Sequence, residues 1–345
     1  MVTQDYSISL ETPHFVVPSA NRIPVNHYPA DMLAIPPSRM FLIRDALKKY
    51  KEVEGADAPT YDASQGDGGA SLPGVPADIL RRATELQIKH GTAYDQPWGT
   101  PMFRKAAVEQ YWKLDSATGW GEPNVCFVQG GRDGLQKAYS AMVALGHQET
   151  GDALVVSRVP WITYNWGPYM VGLNVLLAPG NPAEGWRFTP ESIKATAEYA
   201  AKEGRKVAGI VITSPDNPTG RTIPVEEQIE LAKVALENGY AYVLFDWIYH
   251  WVTDGGPSDI NQVLKAFTPE QRERLIFLDG ITKSLGGSNI RSAHLVAGKK
   301  VIDYITSQSS HGVVPSFYGQ AVAIAAYEMG FGTAAASIIE PCRES

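Results

Sequence analysis

Short apolar runs recur along the chain at 125–128, 153–157, 175–178, 207–213, 241–245, 275–278 and 294–297. They are continuous rather than alternating, the pattern of strands covered on both faces. Between several of them apolar positions recur every three or four residues, at 190–203 and 225–238. A helix running to Leu145 follows the 125–128 run, and further helices are predicted at 39–51, 76–90 and 102–113, with Pro76 opening its own. Buried strands alternating with amphipathic helices predict an α/β fold with a mainly parallel sheet between helices.

In open sheets of this kind ligands bind beyond the carboxyl ends of the strands. The 207–213 run ends in Ser214-Pro215-Asp216-Asn217-Pro218-Thr219-Gly220, and the 241–245 run in Asp246-Trp247-Ile248-Tyr249. The 275–278 run ends in Asp279-Gly280-Ile281-Thr282-Lys283, with Arg291 eight positions beyond the lysine, and the 153–157 run leads to Trp161 and Tyr164. Each has a plain structural reading: Asn217-Pro218 starts turns, Asp246 could cap a helix, the aromatics could be core. Together on one sheet edge they supply an amide, an acid with a phenol, an amine with a guanidinium, and an aromatic face.

Two further stretches belong to the same picture. The 125–128 run passes into Gln129-Gly130-Gly131-Arg132-Asp133-Gly134-Leu135, a strand, glycine pair and helix start that can present free N–H groups to an anion. Tyr61 to Gly69 is a glycine-rich turn, open to close backbone approach by a ligand or simply a surface loop. A lysine amine condenses with an aldehyde, and a fixed arginine holds a phosphate. Pyridoxal 5'-phosphate carries both groups.

Composition narrows the class. The 345 residues are 44% hydrophobic and 19% charged, enough for a sizeable core. A net charge of −7 argues against nucleic-acid or anionic-membrane partners. Two cysteines, Cys126 and Cys342, exclude a disulfide framework and point to a reducing compartment. The start, Met1 to Asp5, has no basic and apolar leader pattern, and no apolar run nears the roughly 20 residues of a membrane span. A cytoplasmic location is expected, and no metal ion at the site.

The ordered set Tyr61–Asp67, Tyr94–Gly99, Gly130–Leu135, Pro160–Tyr164, Asn217–Gly220, Asp246-x-x-Tyr249 and Thr282-Lys283…Arg291 resembles the class I/II aminotransferases, the fold-type I pyridoxal-phosphate enzymes. The resemblance covers about residues 60–300. It implies that Lys283 binds the cofactor and then shuttles the proton, and that Asp246 pairs with the pyridine nitrogen. Asn217 and Tyr249 would bond the ring's phenolic oxygen. Trp161 would stack on the ring, with Tyr164 the alternative. Gly131, Arg132 and Arg291 would hold the phosphate, with Thr282 or Ser284 making up for Gly280, where many relatives carry serine. Tyr94 would reach the phosphate of a partner subunit in a homodimer with shared sites, Gly66 would lie beside the substrate carboxylate, and Asn217 would also bind the substrate.

The domains expected are an N-terminal arm and small-domain segment at 1–60, a cofactor-binding large domain at 61–315, and a connecting helix with the start of a small domain at 316–345. The proline-rich arm either lies over a neighbouring subunit or packs loosely as a terminus. The family's substrate-carboxylate arginine lies much farther past the lysine than this chain runs, and no arginine occurs between Arg291 and Arg343. A fragment is therefore expected, and aspartate-type side-chain specificity is disfavoured. The activity expected is transfer of an amino group from an L-amino acid to a 2-oxo acid. The alternatives are elimination, cyclisation or oxygen-dependent amino-acid oxidation at the same site, or a non-catalytic effector domain.

Overall fold

A computed structural model describes residues 10–16, 40–59 and 73–344, so the expectations for the rest of the N-terminal arm and for the Tyr61 to Gly69 turn lie outside the described residues. Among the described residues, eight strands form one sheet. They are β1 (His14–Phe15), β2 (Val125–Val128), β3 (Ala153–Val156), β4 (Asn174–Leu177), β5 (Val207–Thr213), β6 (Tyr242–Asp246), β7 (Leu275–Gly280) and β8 (Ala293–Ala297). Their order across the sheet is β1-β4-β3-β5-β6-β7-β8-β2. The block β4-β3-β5-β6-β7 is parallel throughout, as the apolar runs predict. β8 runs against both β7 and β2, and β1 against β4.

Two cores flank this sheet, and successive strand residues feed them alternately, as the strand period of two requires. Leu244, Ile276 and Leu278 pack with Leu135, Tyr139 and Met142 of α4 (Gly131–Leu145) and with Val301 and Ile305 of α8 (Lys299–His311). Phe245 and Phe277 point the other way and stack with centroids 4.8 Å apart. That second core also takes α2 (Ala77–His90), α3 (Pro101–Ala106), α6 (Pro190–Lys202), α7 (Val225–Glu237) and α9 (Phe317–Met329). α1 is Met40–Glu54, and α5 is the short turn Ile162–Trp166. Truncating either phenylalanine to alanine would cost about 3–5 kcal/mol.

Helix ends follow local chemistry. Thr100 caps α3 through Phe103 N–H, and both its own N–H and its hydroxyl donate to Gln320 on α9. The helix expected over 102–113 begins at Pro101 and passes at Ala107 into a π-helical turn, Ala107–Tyr111, closed by Trp112 N–H on the Ala107 carbonyl. That wider turn seats Tyr111 and Trp112 under the sheet, a tertiary demand that residue propensities do not report. No helix among the described residues is long and apolar enough to cross a membrane.

Candidate active site

β3, β5, β6 and β7 are consecutive neighbours, so their carboxyl ends and the residues beyond them share one edge. A cavity of about 740 Å³ opens there. Of the residues expected at a cofactor, Lys283, Asp246, Tyr249, Asn217, Trp161, Gly131, Arg132, Arg291 and Thr282 all line it. Tyr94 does not: it is 95% exposed on the turn after α2. Gly66 lies outside the described residues.

The strand ends present these groups because each loop is braced. Ser214 Oγ accepts from Ile223 N–H and donates to the Ile223 carbonyl, tying off the loop that carries Asn217. Within it Asp216 accepts from the Thr219 hydroxyl at 2.6 Å, while burial raises the Asp216 carboxyl above its ordinary range. Asn217 Nδ2 donates to the Tyr249 hydroxyl at 3.3 Å, and Lys283 Nζ lies 5.7 Å from the centre of the Tyr249 ring. Amide, phenol and amine therefore converge from three adjacent strands.

Asp246 is buried at the foot of the cavity. Burial pushes its carboxyl up from 3.8 to about 6. Against that, Tyr164 donates its hydroxyl at 2.5 Å and Ile248 its N–H at 3.2 Å, while nearby Asp279 adds repulsion. Tyr164 also meets the Thr213 hydroxyl at 3.1 Å, and burial, then the Asp246 charge, holds its phenol well above the ordinary range. Both Trp161 and Tyr164 line the cavity, but Tyr164 is committed to Asp246, and Trp161 stands at right angles to the Tyr164 ring and lies under the Arg132 guanidinium. The bond from Tyr164 was not anticipated; the clue was a phenol three residues past a tryptophan, without a partner assigned.

The far end of the cavity is built by glycine and arginine. Gly130 precedes α4 with φ +86°, and no side chain caps the helix. A Cβ on Gly130 would stand 2.2 Å from Arg291 Nη2, so a side chain there would push the guanidinium aside, and the positive φ also favours glycine. Arg291 donates to the Ser288 carbonyl at 2.7 Å and the Gln129 carbonyl at 3.3 Å. Thr282 Oγ1 is buried and has no hydrogen-bond partner among the described residues. Gly280 has no room for a serine: β7 runs two residues longer than expected, and a Cβ would sit 2.7 Å from Ala293 Cα on β8. Of the two hydroxyls that could replace it, Thr282 lines the cavity, and Ser284 is buried outside its lining.

The family model described as aminotransferase class I and II matches residues 63–333. The aspartate aminotransferase of Geobacillus stearothermophilus is 23% identical over 281 residues, which are 81% of this chain and 67% of the relative. That of Streptomyces avermitilis is 27% identical over 263 residues, 76% of this chain and 60% of the relative. Among solved structures, the aspartate aminotransferase of Thermus thermophilus with maleate superposes with a TM-score of 0.73 at 20% identity, covering 92% of this chain and 77% of that one. The aspartate aminotransferase of Thermotoga maritima gives a TM-score of 0.69 at 19% identity over 87% and 74%; at these identities the structures attest the fold. The match over 63–333 makes the chain a member of the class I and II aminotransferases, pyridoxal-phosphate-dependent enzymes that transfer amino groups between amino acids and oxo acids.

Proposed function

We propose that Lys283 is the amine to which pyridoxal phosphate is bound and that the amino-group transfer occurs in the cavity beyond β5, β6 and β7. The observation that carries this is the convergence of Lys283, Tyr249, Asn217 and Asp246 on one cavity. The residues suit the cofactor. Arg291, the uncapped start of α4 at Gly131 and Arg132, and the unpartnered Thr282 hydroxyl are donors for a phosphate. Asp246 is a buried carboxylate whose hydrogen-bond donors are neutral, so a cationic ring nitrogen is the partner it lacks.

Pyridoxal phosphate, when bound, supplies an aldehyde for the amino group and a ring that takes up the electrons released at the amino acid's Cα. The protein does the rest. Asp246 would hold a proton on the ring nitrogen by a charge-assisted bond. Tyr249 and Asn217 would orient the ring through its phenolic oxygen, and Trp161 would cover its face. Lys283 Nζ would be the base that moves the amino acid's Cα proton. Borohydride reduction of the cofactor-loaded protein should leave the cofactor on the peptide containing Lys283. An adduct on another lysine would overturn the assignment.

The same reading places two chains around each site. Its support is Tyr94, which is 95% exposed, with Ile88 at 77% and Met102 at 46% exposed on the adjoining α2 and α3. Mixed dimers of Lys283→Ala with a Tyr94-deficient variant should regain part of the activity; a monomeric active species would rule the arrangement out. We also read 61–315 as the cofactor domain, 1–60 as arm and small-domain segment, and 316–345 as the start of a further small domain. A cytoplasmic location is supported by Cys126, a buried free thiol. The named relatives act on aspartate, and Arg132 at the cavity is a cation suited to a second carboxylate. We therefore propose an acidic substrate, against the expectation drawn from the missing C-terminal arginine. A larger kcat/KM for aspartate than for alanine, lost in Arg132→Ser, would support it; equal values would refute it.

A further inference from the structure

We infer that Lys137 sets the charge at the phosphate end of the cavity by neutralising Asp133, and so acts as a positioning residue for the cofactor. This rests on the reading that the start of α4 and Arg291 hold a phosphate.

Asp133 stands in the first turn of α4, whose Gly131 and Arg132 line the cavity and whose start no side chain caps. An anion must settle there, and a carboxylate beside it repels that anion. The carboxylate nevertheless has a structural duty. Its Oδ2 accepts the Gln129 N–H at 2.8 Å, and the Gln129 carbonyl in turn accepts from Arg291 Nη2 at 3.3 Å. Asp133 thus braces the turn at Gly130 on which the Arg291 guanidinium packs.

Lys137 answers the charge. One helical turn farther on, its Nζ lies 2.9 Å from the same Oδ2. The lysine side chain is only 10% exposed and that of Asp133 27%, unlike the solvated pairs that contribute little. A lysine is seldom buried unless it is paired. The pair keeps the brace and cancels its charge, which leaves the cavity facing N–H groups and Arg291.

The experiment measures dissociation constants of pyridoxal phosphate and of pyridoxal, which lacks the phosphate, by visible absorbance. Wild type, Lys137→Met, Asp133→Asn and the double variant are compared, with melting of the cofactor-free proteins as a check on folding. Lys137→Met should bind pyridoxal phosphate roughly five- to tenfold more weakly, more so at low salt, with pyridoxal little changed. Asp133→Asn, which keeps an oxygen for Gln129, should bind pyridoxal phosphate at least as tightly as wild type, and the double variant should recover to within about twofold. Equal losses for both ligands, or no recovery in the double variant, would make the pair mere packing and overturn the inference. If wild type itself does not prefer pyridoxal phosphate over pyridoxal, the phosphate reading falls first and this inference falls with it.

Discussion

Two aspartates occupy the carboxyl ends of neighbouring parallel strands, Asp246 on β6 and Asp279 on β7, and both are buried. Asp246 is in register with Leu278, so Asp279, one residue on, faces the opposite side of the sheet. There it accepts from Tyr111, from His250 Nε2 at 2.7 Å and from the Gly280 N–H at 2.6 Å. Tyr111 is fixed in turn by Trp251 Nε1 at 2.8 Å, and Trp112 Nε1 donates to His294 Nε2 at 2.7 Å beside it. Burial lowers His294 to about 4, in keeping with the neutral ring that accepts that bond. Asp279 is saturated by the protein and lies outside the lining of the cavity. Asp246 has fewer donors and opens onto one. A carboxylate left short of partners costs stability, and such costs gather where a ligand is due.

The contrast breaks most readily in kinetics. Asp246→Ala should lower kcat/KM on the order of 10³-fold, because the ring nitrogen loses its partner. Half-reaction rates close to wild type would remove Asp246 from the site. Asp279→Asn should instead destabilise by about 2–3 kcal/mol in denaturant titrations, since a buried network loses a charged acceptor. Activity per folded molecule should stay within about threefold. A fall in kcat well beyond the folding loss would show that the far face also serves the reaction.

The two aspartates should also differ in the sign of their effect on the cofactor-free protein. The folded Asp246 carboxyl is raised from 3.8 to about 6, so the folded state holds that proton more tightly than the unfolded chain. Its stabilising contribution is complete below about pH 4 and is lost as the pH rises through about 6. At pH 7 Asp246→Asn should therefore gain about 1–2 kcal/mol in stability, and at pH 4 the gain should vanish. A loss at pH 7, as for Asp279→Asn, would erase the distinction.

The sequence disclosed Asp246 and concealed Asp279 for one physical reason. Apolar runs show where strands lie, and a polar residue closing a run marks the sheet edge; but the face it points to depends on register, which is set by neighbouring strands. The 275–278 run therefore read as ending before Asp279, whereas pairing with β8 carries β7 on to Gly280. The antiparallel β8 and β2, the π-helical turn under Asp279 and the Tyr164 bond to Asp246 likewise depend on partners far along the chain. The parallel block and the cavity-lining Lys283, Asn217 and Arg291 were legible, because local apolar blocks and their terminal residues carry them.

The smallest expected effect sharpens the comparison furthest, because it alters Asp246 without touching it. Tyr164 donates its hydroxyl to Asp246 Oδ2 at 2.5 Å, a bond that favours the charged carboxylate against burial. In Tyr164→Phe the carboxyl should move further up, so the acid limb of the pH–rate profile should shift to higher pH. Activity should fall roughly three- to tenfold at pH 6 and hardly at pH 8, the scale of one hydrogen bond to a charged group. Tyr139 is the matched control: it is buried on α4 within electrostatic reach of Asp246, but its hydroxyl has no hydrogen-bond partner among the described residues. Tyr139→Phe removes no bond and should leave the acid limb in place. If both variants shift the profile alike, general burial rather than the Tyr164 bond governs Asp246. If only Tyr164→Phe does, that one hydroxyl separates an aspartate poised for a cationic partner from one merely buried.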